Sequence, residues 1–191
     1  DADGGNLRAL SVNDVNEWFP AVSNSGHLLF ARWDYIDRDA VTHQNLWSMR
    51  PDGSNPVAVW GNASAKPHCT FQAKSVPQSN KIVFIAAAHH AITAGPVCLL
   101  DPAVDTNSLD AVTRITPLPF PEAEGKLDEW YAAPWPLSDD YFLVAYSPYR
   151  LRFQGEHPPN PNPDNALPFY LLPAARTRES LSRHPDTRPT N

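Results

Sequence analysis

Residues 45–62 read NLWSMRPDGSNPVAVWGN, and the chain opens on a shorter echo of them, DADGGNLRALSVN at 1–13. Both place Asp-Gly a few residues ahead of an apolar stretch. In the longer copy two strand-length apolar runs, Leu46–Met49 and Val57–Trp60, flank Arg-Pro-Asp-Gly-Ser-Asn-Pro. Such spacing predicts a β-hairpin. Asp52 can accept hydrogen bonds from backbone amides two residues on, and Gly53 takes a positive φ with no Cβ penalty. Asp3 and Gly4 are read as the same structural turn, 49 residues earlier.

Working outward, further apolar runs of strand length are Ala21–Val22, Leu28–Ala31, Ile82–Ala88, Val97–Leu100, Val112–Ile115, Tyr141–Tyr146 and Phe169–Leu172. Each is bounded by turn-forming residues, and long helical periodicity is absent. That pattern predicts an all-β chain: a sandwich, a barrel or a propeller.

Internal repetition separates those options. The stretches NEWFPAVSNSGHLLFARW (16–33), PHCTFQAKSVPQSNKIVFIAA (67–87) and EWYAAPWPLSDDYFLVAYSP (129–148) share one layout. Each has an aromatic or apolar start, a polar turn and an apolar strand, with Phe30, Phe84 and Val144 in equivalent places. A third strand follows in each (NLWSMRPDG, GPVCLLDPAVD, LPFYLLPAART), then a fourth (PVAVWGN, AVTRITP, ESLSRHP). Four antiparallel strands recurring at roughly 50 residues is the period of a propeller blade. The predicted fold is therefore a β-propeller fragment of four-stranded antiparallel blades. Residues 1–15 are the last hairpin of a preceding blade, 16–66 and 67–117 are blades, and 118–191 is a blade with a Pro-rich insertion at 150–168. About three blades are too few to close a ring of 4–8. Such a segment leaves two sheet faces uncovered, and the isolated chain is expected to be oligomeric or poorly soluble.

Composition narrows the function classes. A net charge of −6, with 15 Lys+Arg against 21 Asp+Glu, argues against nucleic acid as a partner. No apolar run approaches the ~18 residues of a membrane span. The chain begins at Asp1 and is expected to be a mature or excised piece of a longer protein. Cys69 and Cys98 fit no zinc or c-type haem motif, and are either a disulfide or two buried small hydrophobes. G-x-S-x-G, H-E-x-x-H, G-x-x-x-x-G-K-S/T and G-x-G-x-x-G motifs are all missing.

Three local features could carry chemistry. In AAAHHAITAG (86–95), His89 and His90 are candidate ligands or bases, against the alternative of histidines that fix a turn. Read as extended chain, the adjacent pair points to opposite faces and does not share one metal. In RWDYIDRDAVTH (32–43), Asp34, Asp37, Asp39 and His43 cluster around Arg32 and Arg38. Clustered oxygen ligands make calcium conceivable; the alternative is a solvated loop with Asp–Arg pairs. Trp18, Trp47, Trp60, Trp130 and Trp135 are read as wedges between sheets, with the alternative of an exposed group gripping a sugar or peptide.

The stretch LWSMRPDGSNPVAVWGN resembles the TolB-type, WD-like propeller repeat. NEWFPAVSNSGHLLFARWDYIDR, IAAAHHAITAGPVCLLDP and PWPLSDDYFLVAYSP resemble the propeller-type middle domain of the hydrazine synthase alpha subunit and related propellers of secreted bacterial proteins. The chain departs from that pattern after Asp164, where Pro168 and Pro173 replace the expected glycine and aspartate. The resemblance implies a non-catalytic, periplasmic or secreted scaffold, or protein- or ligand-binding module. Its partners are then the remaining blades or domains of the full-length protein and a possible protein partner. The alternative is a propeller domain of a multihaem oxidoreductase, its haems held outside this chain, since this chain contains no haem attachment motif. A third alternative is a hydrolase or lyase with a metal on His89 or His90.

Overall fold

A computed structural model describes residues 3–34, 43–62, 64, 66–90, 93–121, 127, 129–148 and 169–174. Eleven strands are present among them, with one short 3-10 turn at Leu109–Ala111. The fold is all-β. The first sheet runs β1 (Glu17–Val22), β2 (Leu28–Trp33), β3 (Gln44–Met49), β4 (Val57–Trp60) as an antiparallel meander. The second repeats it with β5 (Cys69–Ser75), β6 (Ile82–Ala87), β7 (Val97–Leu100) and β8 (Val112–Arg114). One parallel bridge, Gln44↔Cys69, joins the two. The third comprises β9 (Trp130–Pro136), β10 (Tyr141–Ser147) and β11 (Phe169–Pro173), tied to the second by a bridge from Gly95 to Tyr131. The insertion at 150–168 and the predicted fourth strand, ESLSRHP, lie outside the described residues.

The register repeats along with the strand order. The pair Trp18↔Ala31 of the first sheet has its counterpart in Phe71↔Ile85 of the second and Ala132↔Ala145 of the third. Phe30, Phe84 and Val144 face Trp47, Cys98 and Tyr170 across the next strand. The first strand of every sheet (β1, β5 and β9, the inner strands) is also interrupted at one place. Phe19, Gln72 and Ala133 adopt φ of 55°, 57° and 48°, and the ladder slips beside each. A β-bulge of this kind leaves an extra residue unpaired and sharpens the twist. Pro20 and Pro134 directly follow two of the bulges, where the missing N–H costs little.

The echo that opened the sequence is reproduced as conformation. Asp3 Oδ1 accepts from the Gly5 amide at 2.8 Å, and Asp52 Oδ1 accepts from the Ser54 amide at 2.9 Å. Gly4 and Gly53 have φ of 80° and 88°, while Asn6 and Asn55 both sit at 54°. Beyond its turn, the N-terminal segment forms no strand through Asn16, and Leu7 and Val12 are exposed. It instead lies against the first sheet, where Asn13 Nδ2 donates to the Trp33 carbonyl at 3.3 Å. That packing leaves no room for a Cβ on Gly53 beside the Leu10 carbonyl.

The core is continuous across the sheets. Ala31, Phe71, Val83, Ile85, Tyr131, Phe142, Val144 and Leu172 belong to one buried cluster. Leu29, Leu46, Trp60, Ile82 and Phe84 belong to a second, between the first two sheets. Cys69 and Cys98 are both buried and form no disulfide, lying in different clusters on either side of β6, so they are the small hydrophobes. Of the two end faces expected to be uncovered, the far side of the third sheet is exposed. On the first sheet, Phe30 and Met49 are buried.

Candidate functional site

Polar and aromatic side chains converge where the inner strands begin and the second strands end, between the first two sheets. β6 stops at Ala87, and residues 89–90 form a turn instead of extended chain. The two imidazoles therefore do not diverge, as alternation along a strand would require; their centroids lie 4.3 Å apart with planes tilted by 52°. His89 is half-buried and His90 exposed.

His89 is held by a residue with no motif to announce it. The Gln44 Nε2 amide donates to His89 Nδ1 at 2.7 Å. Nδ1 accepts in this arrangement, so the neutral ring carries its proton on Nε2. Gln44 is itself fixed on three sides. Its backbone N–H donates to the His68 carbonyl at 2.8 Å, its carbonyl accepts from Thr70 Oγ1 at 3.3 Å, and its side chain is buried. Trp33 stands edge-on to His89 at 5.1 Å, then stacks on Trp18 at 6.3 Å. Phe71 meets Trp18 at 5.8 Å and Phe19 at 5.2 Å. Together with Thr93 these groups line a cavity of about 280 Å³.

The acidic loop is placed only in part. Asp34 Oδ1 accepts from Arg32 Nε at 2.8 Å, an ion pair on the same strand end, while the Arg32 guanidinium sits 4.6 Å from the Trp47 ring centroid. Asp37 and Asp39, with Arg38, lie outside the described residues. His43 is half-buried with its ring 6.1 Å from that of His68. Among the described residues no group of three or more His, Cys, Asp or Glu side chains is arranged to hold a metal ion. Asp3, Gly4, Asp52 and Gly53 stand in the turns and away from this cavity.

A second polar group lies between the second and third sheets. Tyr146 Oη donates to Glu129 Oε2 at 2.7 Å, and its ring lies 4.6 Å from that of Tyr131. Burial pushes both phenols well above the ordinary tyrosine value, and the neighbouring Glu129 carboxylate adds to the shift. They are neutral hydrogen-bonding groups, without the low pKa that a tyrosine base requires. Of the tryptophans, Trp60 and Trp130 are wholly buried, whereas Trp135 is exposed with Lys74 Nζ 5.1 Å from its ring centroid.

No family model matches the chain, and no curated protein matches it. Among solved structures it is similar to the hydrazine synthase of Kuenenia stuttgartiensis, with a TM-score of 0.57 and 21% identity over 73% of this chain. The likeness is one of fold. The chain spans 17% of the length of that protein. Among the described residues no helix is long and apolar enough to cross a membrane.

Proposed function

We propose that this chain is a segment of a larger β-propeller, of the TolB-type, WD-like kind, acting as a scaffold or binding module of an exported bacterial protein. One series of equivalent positions carries the reading. Leu29, Val83 and Leu143 stand opposite Ala21, Lys74 and Trp135 in successive sheets. Leu29 shares a buried cluster with Ile82 and Phe84 of the next sheet; Val83 shares one with Phe142 and Val144 of the next. Their exposures are 3% and 0%, whereas Leu143 is 37% exposed, beside Tyr141, Leu171 and Phe169, also exposed. An apolar face covered twice by a following sheet and then left open is the signature of a missing neighbour.

Sedimentation tests this directly. The chain alone is expected to self-associate, and the full-length protein, with the ring complete, is expected to lose that self-association. A monodisperse monomer of the chain alone, unfolding cooperatively, overturns the proposal.

The fold likeness supports a second reading, a propeller domain within a multihaem oxidoreductase whose haem sites lie elsewhere. C-x-x-C-H motifs in the remainder of the open reading frame support it, and a frame without them removes it.

A further inference from the structure

The cavity between the first two sheets gathers side chains of mixed chemistry. It brings aromatic rings from β1, β2 and β5 together with an amide, a hydroxyl and two imidazoles, from elements far apart in sequence. At about 280 Å³ it lies just below the range of ligand sites, which starts near 300 Å³, and has room for no more than a single ring.

The chemistry of the lining selects a ligand class. Among the described residues the lining carries no carboxylate, Lys or Arg. What remains is an aromatic floor of Trp18, Trp33 and Phe71 beside polar groups that both donate and accept: the Gln44 amide, the Thr93 hydroxyl and the imidazoles of His89 and His90. A saccharide ring matches both halves, with an apolar C–H face to lie on the indole and hydroxyls to meet the polar side. We propose that this cavity binds one neutral saccharide ring, which rests on the reading of the chain as a binding module and names its ligand class.

The test is titration of the 191-residue chain with glucose, galactose, mannose and N-acetylglucosamine, followed by tryptophan fluorescence and saturation-transfer NMR. Indole and tetramethylammonium serve as competitors. One of the sugars is expected to saturate, with magnetisation transferred chiefly to the C–H protons of one ring face. His90→Ala and Thr93→Val alter exposed side chains that the fold can spare, and each is expected to weaken binding by up to about tenfold, the worth of one hydrogen bond. Trp33→Phe keeps an aromatic wall and is expected to lessen the fluorescence response. Four flat titrations, unchanged affinity in both variants, or displacement of the sugar by tetramethylammonium overturns the proposal. Stronger binding of indole than of any sugar overturns it too, by showing an aromatic slot without sugar selection. Sedimentation reads the scaffold proposal independently, so failure of one leaves the other standing.

Discussion

Gln72 reaches across the boundary between two sheets to Ala133: its Oε1 accepts a hydrogen bond from the Ala133 backbone N–H at 2.6 Å. Each is the bulged residue of its own inner strand, so one irregularity satisfies the amide that the next leaves unpaired. The same Gln72 donates through Nε2 to the Thr93 carbonyl at 3.2 Å, linking the third sheet to the wall of the candidate cavity. Gln72→Ala removes both bonds and is expected to destabilise the chain by about 1 kcal/mol. A thermal unfolding midpoint unchanged from the parent would contradict this.

Ala133 holds its φ of 48° without glycine's freedom, on an exposed site. Ala133→Gly therefore removes Cβ strain and keeps the backbone N–H that Gln72 binds. The expected outcome is a stabilisation of up to about 1 kcal/mol, net of glycine's extra entropy in the unfolded chain. A lower unfolding midpoint in the glycine variant contradicts it.

The two Asp-Gly turns are expected to respond differently to the same substitution. A Cβ on Gly4 meets nothing nearby, so Gly4→Ala carries only the left-handed backbone penalty of about 1 kcal/mol. A Cβ on Gly53 runs into the Leu10 backbone, so Gly53→Ala must also displace the N-terminal segment. Denaturant titration of both variants should rank Gly53→Ala as the more damaging, and equal losses would refute the contact.

Register-equivalent residues should differ in the same way. Val83→Ala is expected to cost about 2 kcal/mol, because the buried site cannot collapse fully around the lost methyls. Leu143→Ala, on the open face, is expected to fall within about 0.5 kcal/mol of the parent. It should also reduce self-association, which sedimentation velocity measures alongside denaturant unfolding. A large stability loss at Leu143 in a monomeric sample would mean the chain itself covers that face.

Acid should weaken the loops first. The Ser54 hydroxyl and amide hold the Asp52 carboxyl below its usual value; the Asn107 and Ser108 amides do the same for Asp105, and the Lys81 ammonium for Asp139. A carboxyl with a lowered folded pKa contributes stability above its unfolded value, near 3.9, and loses it as pH falls through the folded value. The unfolding midpoint is therefore expected to stay level down to about pH 4 and to fall below it. Asp105→Asn should flatten that fall, which a pH series of melts would show.

Much of the fold was legible in the chain itself. β2, β3, β4, β6, β7, β8, β10 and β11 coincide with apolar runs, because each presents alternating or continuous apolar residues to a neighbour. The Asp-Gly turns were legible for a local reason, since the aspartate bonds its own downstream amide and the glycine supplies the φ. The inner strands β1, β5 and β9 gave weaker signals. Their proline, glutamine and lysine residues, and the bulges at Phe19, Gln72 and Ala133, break the two-residue period.

The candidate site depended on the third dimension. His89 and His90 stood out as a pair, but strand alternation misplaced them, because the turn after Ala87 is set by how the chain leaves the sheet. Gln44 and Thr93 carry no motif at all. Gln44 became a site residue only because a parallel bridge to Cys69 delivers β3 beside β5, setting its amide against an imidazole 45 residues away. Local residue chemistry determined the strands and turns of this protein, since periodicity and turn geometry act over a few neighbours. Only the tertiary structure decided what those strands bring together, because contacts between sheets pair side chains that share no spacing in sequence.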